Sequence, residues 1–175
     1  MQDDLVDVAG HLKSIEIDGK RLIDPKRVAI AGFSYGGYAS LVGAMKNSDL
    51  FRCAVSLEPV TDLTIGFGGG EKTKREKIIV GDPEKDREKL KENSPAFHID
   101  EMTIPIYIQW GLGPKSLGKS HAKPFTHHLG VDGEFHKSDN VTIRLFPNED
   151  HVPSVEANKI VKKDLEEFLR RYLID

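Results

Sequence analysis

The chain has 175 residues, is 38% hydrophobic and 30% charged, and carries a net charge of −3 with a single cysteine. That is room for one domain with one core, and the balance excludes a basic nucleic-acid surface, a disordered acidic tail, an intrachain disulfide and a cysteine metal cluster. No apolar run is long enough to span a bilayer, and Met1-Gln2-Asp3-Asp4 is acidic where a secretory signal is basic and then apolar, so the expected compartment is the cytoplasm, away from membranes.

Leu5, Val8, Ala9, Leu12 and Ile15 recur at helical spacing and predict an amphipathic helix over 3–16. Asp24-Pro25-Lys26 reads as a turn, and Arg27 to Phe33 as a short buried strand. Tyr35 to Met45, rich in Gly, Ala and Leu, reads as a tightly packed helix. Phe51 to Leu57 is a second buried strand stopped by Pro59, with Cys53 as a small core residue rather than a nucleophile. Gly66 to Lys77, glycine-rich and then charged, reads as a surface loop leading into a helix. Pro83 to Lys91 is expected to be helical with Asp82 as its N-cap. A third strand is expected over Ile104 to Trp110, a helix over His121 to Leu129, and a fourth strand over Val141 to Phe146. Residues 155–173 form the clearest helix, with Ile160, Val161, Leu165, Phe168, Leu169, Tyr172 and Leu173 on one face. Helix and strand therefore alternate through a single α/β domain spanning 1–175. Such alternation implies a parallel sheet of about four strands with helices on both faces, and ligands in such sheets bind at the carboxyl ends of the strands.

The first of these strands ends in Gly32-Phe33-Ser34-Tyr35-Gly36-Gly37, a G-x-S-x-G match. The motif has a mechanical reason. The chain turns sharply from strand to helix, the serine is held in a strained conformation, and small residues two positions either side let the backbones pass. Ser34 then projects above the sheet at a helix N-terminus, where the Tyr35 N–H is positioned as an oxyanion donor. Taken alone, the pattern also fits a serine capping a glycine-rich turn. The apolar strand before it and the small-residue helix after it supply the context that the elbow requires.

The segment Asp24-Pro25-Lys26-Arg27-Val28-Ala29-Ile30-Ala31-Gly32-Phe33-Ser34-Tyr35-Gly36-Gly37-Tyr38 resembles the catalytic domain of the prolyl oligopeptidase family of serine peptidases, an α/β-hydrolase family that includes acylaminoacyl and dipeptidyl peptidases. Pro59-Val60-Thr61-Asp62, Gly81-Asp82-Pro83-Glu84-Lys85-Asp86 and Asn93-Ser94-Pro95 are also similar to that family, and the likeness runs over nearly the whole chain. The resemblance implies a Ser-His hydrolase acting on a peptide or small ester, without a cofactor or metal. It also implies an apolar pocket for the residue donating the carbonyl, with Val60, Leu63 and Leu117 at the lining positions. Leu63 stands where many members have an aromatic residue, so no preference for proline is inferred.

A serine hydroxyl needs a base. His151 follows the last strand and precedes the last helix, the place of the histidine in this fold's chain order. His11, His98, His121, His127, His128 and His136 fall on helices or polar loops and read as solvated; neighbours such as His127 and His128 point apart on a helix. The third member is missing from its usual place. The family pattern Gly-x-x-Asp-x-x-Val meets Gly111-Leu112-Gly113-Pro114-Lys115-Ser116-Leu117, which puts Pro114 at the acid position, and no carboxylate occurs between Met102 and Val131. Neutralising such an acid costs about 10⁴ in turnover in a well-studied serine protease. Glu58, just beyond the second strand, is a candidate substitute; Asp150 adjoins His151 and is poorly placed to reach its ring.

In the family, further strands and a β-propeller precede this region, and the strands carry the loop with the second oxyanion donor. The expectation is therefore either a part of a longer protein or a minimal hydrolase, with the elbow strand near an open edge covered in a homo-oligomer or by a missing N-terminal segment. Two functions remain open: a serine hydrolase working through an acyl-enzyme at Ser34, or a catalytically impaired hydrolase scaffold used for binding or assembly. Ser34 and His151 favour the first, and Pro114 favours the second.

Overall fold

A computed structural model describes residues 2–68 and 70–174. Helix α1 (Gln2–Ser14) leads into a small ribbon of β1 (Glu16–Ile17) and β2 (Lys20–Arg21). The ribbon turns on Asp18 and Gly19, at φ 52° and 73°, the Asp-Gly pairing that a two-residue hairpin favours. After it come β3 (Ala29–Phe33), α2 (Tyr35–Lys46), β4 (Cys53–Leu57), α3 (Lys74–Ile79), α4 (Arg87–Glu92), β5 (Ile106–Gly111), α5 (Gly118–His128), β6 (Phe135–Lys137), β7 (Val141–Phe146) and α6 (Val155–Leu169), whose last turn widens into a π-helix over Arg170–Ile174.

Strands β3, β4, β5 and β7 are parallel, in that spatial order, and β6 adds an antiparallel strand beside β7. The two faces of the sheet bury separate clusters. Ala9 of α1, Leu41 of α2 and Phe125 of α5 pack with Ile30, Ile106, Trp110 and Ile143 on one face. Ala157, Val161 and Phe168 of α6 cover Cys53, Val55 and Tyr107 on the other. The alternating α/β architecture and its parallel sheet agree with the pattern read from the sequence.

Three local expectations need correction. The sheet has five strands rather than about four. β6 carries no apolar run, and what holds it is pairing to β7, with the Arg144 guanidinium over the Phe135 ring at 4.2 Å. The helix expected over Pro83 to Lys91 begins at Arg87, not after Asp82. Asp86 Oδ2 accepts the Asp82 N–H (2.8 Å) and Asp82 Oδ1 accepts that of Glu84 (2.9 Å), so the two carboxylates close a turn that must end before a helix can start. Finally, the Gly66–Lys77 loop ends at Thr73. A capping box starts α3 there, with Thr73 Oγ1 on the Glu76 N–H and Glu76 reaching back to the Thr73 N–H.

The elbow is made by two close approaches and one open position. A Cβ on Gly32 would stand 2.3 Å from the backbone C and O of Gly36, and one on Gly37 would stand 2.7 Å from the Leu57 carbonyl oxygen. At Gly36, by contrast, a Cβ would meet nothing within 4 Å. The requirement for small residues on both sides of Ser34 therefore falls on Gly32 and Gly37, where backbone meets backbone. Gly32→Ala is expected to cost at least about 2 kcal/mol, whereas Gly36→Ala should stay within about 0.5 kcal/mol of the parent. Urea denaturation of the two variants checks this, and equal losses would contradict the geometry.

Candidate active site

Ser34 sits between β3 and α2 at φ 56° and ψ −114°, outside the ordinary regions for a residue with a Cβ. Its N–H is bound to the Leu57 carbonyl at 2.8 Å, which fixes the turn to the end of the neighbouring strand. The hydroxyl does not cap α2. The first N–H groups of α2, Tyr35 first among them, have no acceptor within the helix and carry its positive end. Ser34 Oγ instead lies 3.0 Å from His151 Nε2.

His151 reaches the serine from the loop between β7 and α6. That loop is held from several sides. Glu149 accepts the N–H and hydroxyl of Ser154, both at 2.7 Å, the Glu149 carbonyl accepts the Gly113 N–H (2.7 Å), and Asp150 Oδ1 accepts the Lys115 N–H (2.8 Å). Asp150 thus braces the Gly111–Leu117 loop and not the ring beside it. The His151 ring tilts against Phe33, with centroids 5.1 Å apart. Burial holds its pKa below the ordinary 6.5, so the ring is neutral and able to accept a proton at pH 7.

The other ring nitrogen, Nδ1, is buried without a hydrogen-bond partner. Glu58 Oε2 lies 3.7 Å from it. Glu58 follows β4 directly, is wholly buried, and adopts φ 49°. Its Oε1 accepts the Gly111 N–H (2.5 Å) and the Gln109 side-chain N–H (2.8 Å), while Oε2 has only the Ser116 hydroxyl at 3.5 Å. Desolvation dominates over these hydrogen bonds and pushes the carboxyl up to about 7, with Glu149 adding to the rise. Pro114, at the position where the sequence pattern led to an acid, is exposed.

Ser34 and His151 open onto a cleft of about 660 Å³ whose walls include Val60, Leu63 and Leu117. Ser34, Tyr35, Glu58, Val60, Leu63, Leu117 and His151 therefore lie together at the carboxyl end of the sheet. The cleft also takes Tyr38, Phe67, Ile79 and Val80, which sequence reasoning missed. A signal for the last three existed in the Thr73-x-x-Glu76 capping box. Glu76 also binds the Phe67 N–H (2.7 Å), so the box that starts α3 folds the glycine-rich loop back over the cleft. His121 was read as solvated and is instead wholly buried. Its Nδ1 accepts the Thr61 N–H at 3.2 Å and its carbonyl the Thr61 hydroxyl at 2.6 Å, bracing the turn that carries Val60. His98 and His128 pair with Glu101 and Asp100, both at 2.8 Å. Among the described residues no group of three or more His, Cys, Asp or Glu is placed to hold a metal ion. No helix among them is long and apolar enough to cross a membrane.

The model of the prolyl oligopeptidase family matches residues 2–175. Dipeptidyl aminopeptidase BIII of Pseudoxanthomonas mexicana is 29% identical over 99% of this chain and 25% of its own length. The crystal structure of Porphyromonas gingivalis dipeptidyl peptidase 4 superposes with a TM-score of 0.78 at 16% identity, over 98% of this chain and 22% of that one. Pyrococcus horikoshii acylaminoacyl peptidase superposes at 0.77 and 19% identity, over 99% and 28%. At those identities the two structures establish the fold, and the chain spans about a quarter of the length of the proteins it resembles.

The buried Glu58 carboxyl has a measurable consequence for stability. Its folded pKa of about 7 lies above its ordinary 4.5. The protonated form is therefore favoured by folding, and that contribution, complete below pH 4.5, is lost as the pH rises through about 7. The loss amounts to up to about 3 kcal/mol. Glu58→Gln, whose amide oxygen can keep both Oε1 hydrogen bonds, should be matched to the parent at pH 4 and more stable than it at pH 8. Urea denaturation at the two pH values reads the difference, and a constant offset between the proteins would show that Glu58 keeps an ordinary pKa.

Proposed function

The chain belongs to the prolyl oligopeptidase family, and from that premise we propose that it is a serine hydrolase cleaving peptide or ester bonds through an acyl-enzyme on Ser34. The observation that carries this reading is the 3.0 Å contact between Ser34 Oγ and His151 Nε2 at a strained elbow open to an apolar cleft. With Nδ1 protonated, Nε2 accepts the Ser34 hydroxyl proton as Oγ bonds to the substrate carbonyl carbon. Negative charge develops on the carbonyl oxygen, toward which the Tyr35 N–H and the N-terminus of α2 are directed. The proton on Nε2 then passes to the leaving amine or alkoxide as its bond to carbon breaks, leaving the Ser34 ester. Water repeats the sequence, giving its proton to His151 and freeing the serine. Val60, Leu63, Phe67 and Leu117 receive an apolar side chain on the acyl side.

A second reading is a hydrolase scaffold that binds or assembles without turnover. The exposed Pro114 on a loop without a carboxylate favours it. We also infer that the open edge of β3, whose Ala31 and Phe33 are exposed, is covered in the working protein by a second copy or by polypeptide outside this chain. Light scattering on the isolated chain is expected to show self-association; a monomer at high concentration would remove the second copy as the cover.

Covalent labelling by a fluorophosphonate separates the two functional readings, because the reagent requires an activated serine. The parent chain should label at Ser34. Ser34→Ala should abolish labelling and reduce hydrolysis of a p-nitrophenyl ester to background, and His151→Ala should slow both by at least about 10²-fold. An unlabelled parent chain, folded by circular dichroism, would establish the scaffold reading instead.

A further inference from the structure

The hydrolase reading leaves one atom without an assigned partner. For His151 Nε2 to accept a proton, Nδ1 must carry one, and that buried N–H needs an acceptor from the protein. We propose that Glu58, on the carboxyl end of β4, is the positioning carboxylate of His151, accepting the Nδ1–H and replacing an acid on the Gly111–Leu117 loop. This inference rests on the hydrolase reading and assigns the site its third member.

Four observations converge on it. First, among the described residues Glu58 is the carboxylate that comes within ion-pair distance of the ring, at 3.7 Å from Oε2 to Nδ1. The two acids next to His151 in sequence are committed elsewhere, Glu149 to Ser154 and Asp150 to Lys115. Second, the two unfilled valences face one another. Oε1 is satisfied by Gly111 and Gln109, whereas Oε2 has only a long contact to Ser116, whose hydroxyl also lies against the Gly111 carbonyl. Nδ1 has none. Closing the gap by about 0.8 Å makes a hydrogen bond of ordinary length, a movement typical of a site that tightens around substrate.

Third, backbone strain is concentrated here. Three non-glycine residues among those described have positive φ: Asp18 in the hairpin turn, Ser34 and Glu58. The last two stand at the ends of adjacent strands, joined through the Ser34 N–H on the Leu57 carbonyl. Strain of this kind persists where the surroundings impose it, and it gathers at functional sites. Fourth, Glu58 is a wholly buried carboxyl with no Lys or Arg in ion-pair contact among the described residues, which is costly to keep for structure alone. The groups packed around it are neutral donors from β5 and its following loop (Gln109, Gly111 and Ser116), the carboxylate of Glu149 from the β7–α6 loop, and the ring of His151. The imidazolium formed during turnover is the one cation this arrangement offers to an ionised Glu58.

The test uses the whole chain and three proteins: the parent, Glu58→Gln and Ser34→Ala as blank. Glutamine keeps the Oε1 contacts and turns an N–H toward Nδ1, which favours the tautomer that cannot accept the serine proton. Hydrolysis of a p-nitrophenyl ester between pH 5 and 9 should lose about 10²- to 10⁴-fold in kcat with KM changed no more than a few-fold. Whatever residual activity remains should have its acid limb at lower pH than the parent, because the carboxylate no longer supports a protonated ring. Titration of the His151 C2–H resonance by NMR reads the same coupling without turnover: its midpoint should fall in Glu58→Gln. If Ser34 labels and the variant keeps the parent's kcat, pH limb and histidine titration, Glu58 is a structural acid and the proposal is wrong while the hydrolase reading stands. If the parent does not label, the hydrolase reading fails, and an unchanged histidine titration would then remove the Glu58–His151 coupling as well. Should Glu58→Gln not fold, Glu58→Asp, which withdraws the charge by one methylene, is read by the same two measurements. An intermediate loss with a lowered titration supports the proposal, and unchanged values overturn it.

Discussion

The architecture of the site depends on two backbone hydrogen bonds that carry the parallel ladder one residue beyond its strands. The Ser34 N–H reaches the Leu57 carbonyl at 2.8 Å, and the Glu58 N–H reaches the Gln109 carbonyl at 2.7 Å. Each clamps a left-handed residue to the neighbouring strand. The first clamp helps to hold Ser34 at φ 56°, and the second helps to hold Glu58 at φ 49°. The glycine contacts serve the same purpose. Gly32 lets the start of α2 fold back across β3, and Gly37 lets α2 lie on the end of β4. Packing in the two cores makes the sheet stiff enough to impose these conformations, since α2 buries Leu41, Val42 and Ala44 and β5 buries every one of its residues.

Much of this could be read from the residues, for reasons that differ from element to element. The elbow was legible because its chemistry is written in local sequence: an apolar strand, two glycines at the crossing points, and a helix of small residues. His151 was legible from chain order taken with the elbow and the family resemblance. The cleft was legible only in part. Val60, Leu63 and Leu117 came from resemblance, whereas Phe67, Ile79 and Val80 depend on how a glycine-rich loop folds back, which is decided by one side chain, Glu76. His121 was illegible for a related reason. A histidine on a helix looks solvated until the turn at Thr61 is known to pack on it. Glu58 could be named but not placed. Its charge argued for solvent, and its burial is the outcome of donors on β5, more than fifty residues away in sequence.

The electrostatics of the site pull against the stability of the fold. Desolvation raises Glu58 and lowers His151, so both groups are biased toward their neutral forms. A neutral His151 is what a general base requires. The Glu58 carboxyl, raised to about 7 by burial, lies beside it at 3.7 Å from Nδ1. The folded chain keeps this arrangement although a glutamine would be easier to bury. Local consistency commonly gives way at functional sites, and a carboxyl buried at this point is what the role proposed for Glu58 demands.

The position of Glu58 also follows from strand order. The spatial sequence β3, β4, β5, β7 puts three inter-strand steps between the serine at the end of β3 and the histidine loop at the end of β7. At about 4.8 Å per step, that loop must reach across about 14 Å of sheet edge. The imidazole therefore passes over the ends of β5 and β4 on its way to Ser34. Either strand end can place a carboxylate beneath its far nitrogen. On β5 the carboxylate would have to come from the following loop, which here is stapled to Glu149 and Asp150 and turns Pro114 outward. On β4 it comes from the first residue past the strand, fixed by the ladder itself. The requirement is for a carboxylate at a point in space, and the parallel sheet offers that point to two of its strands.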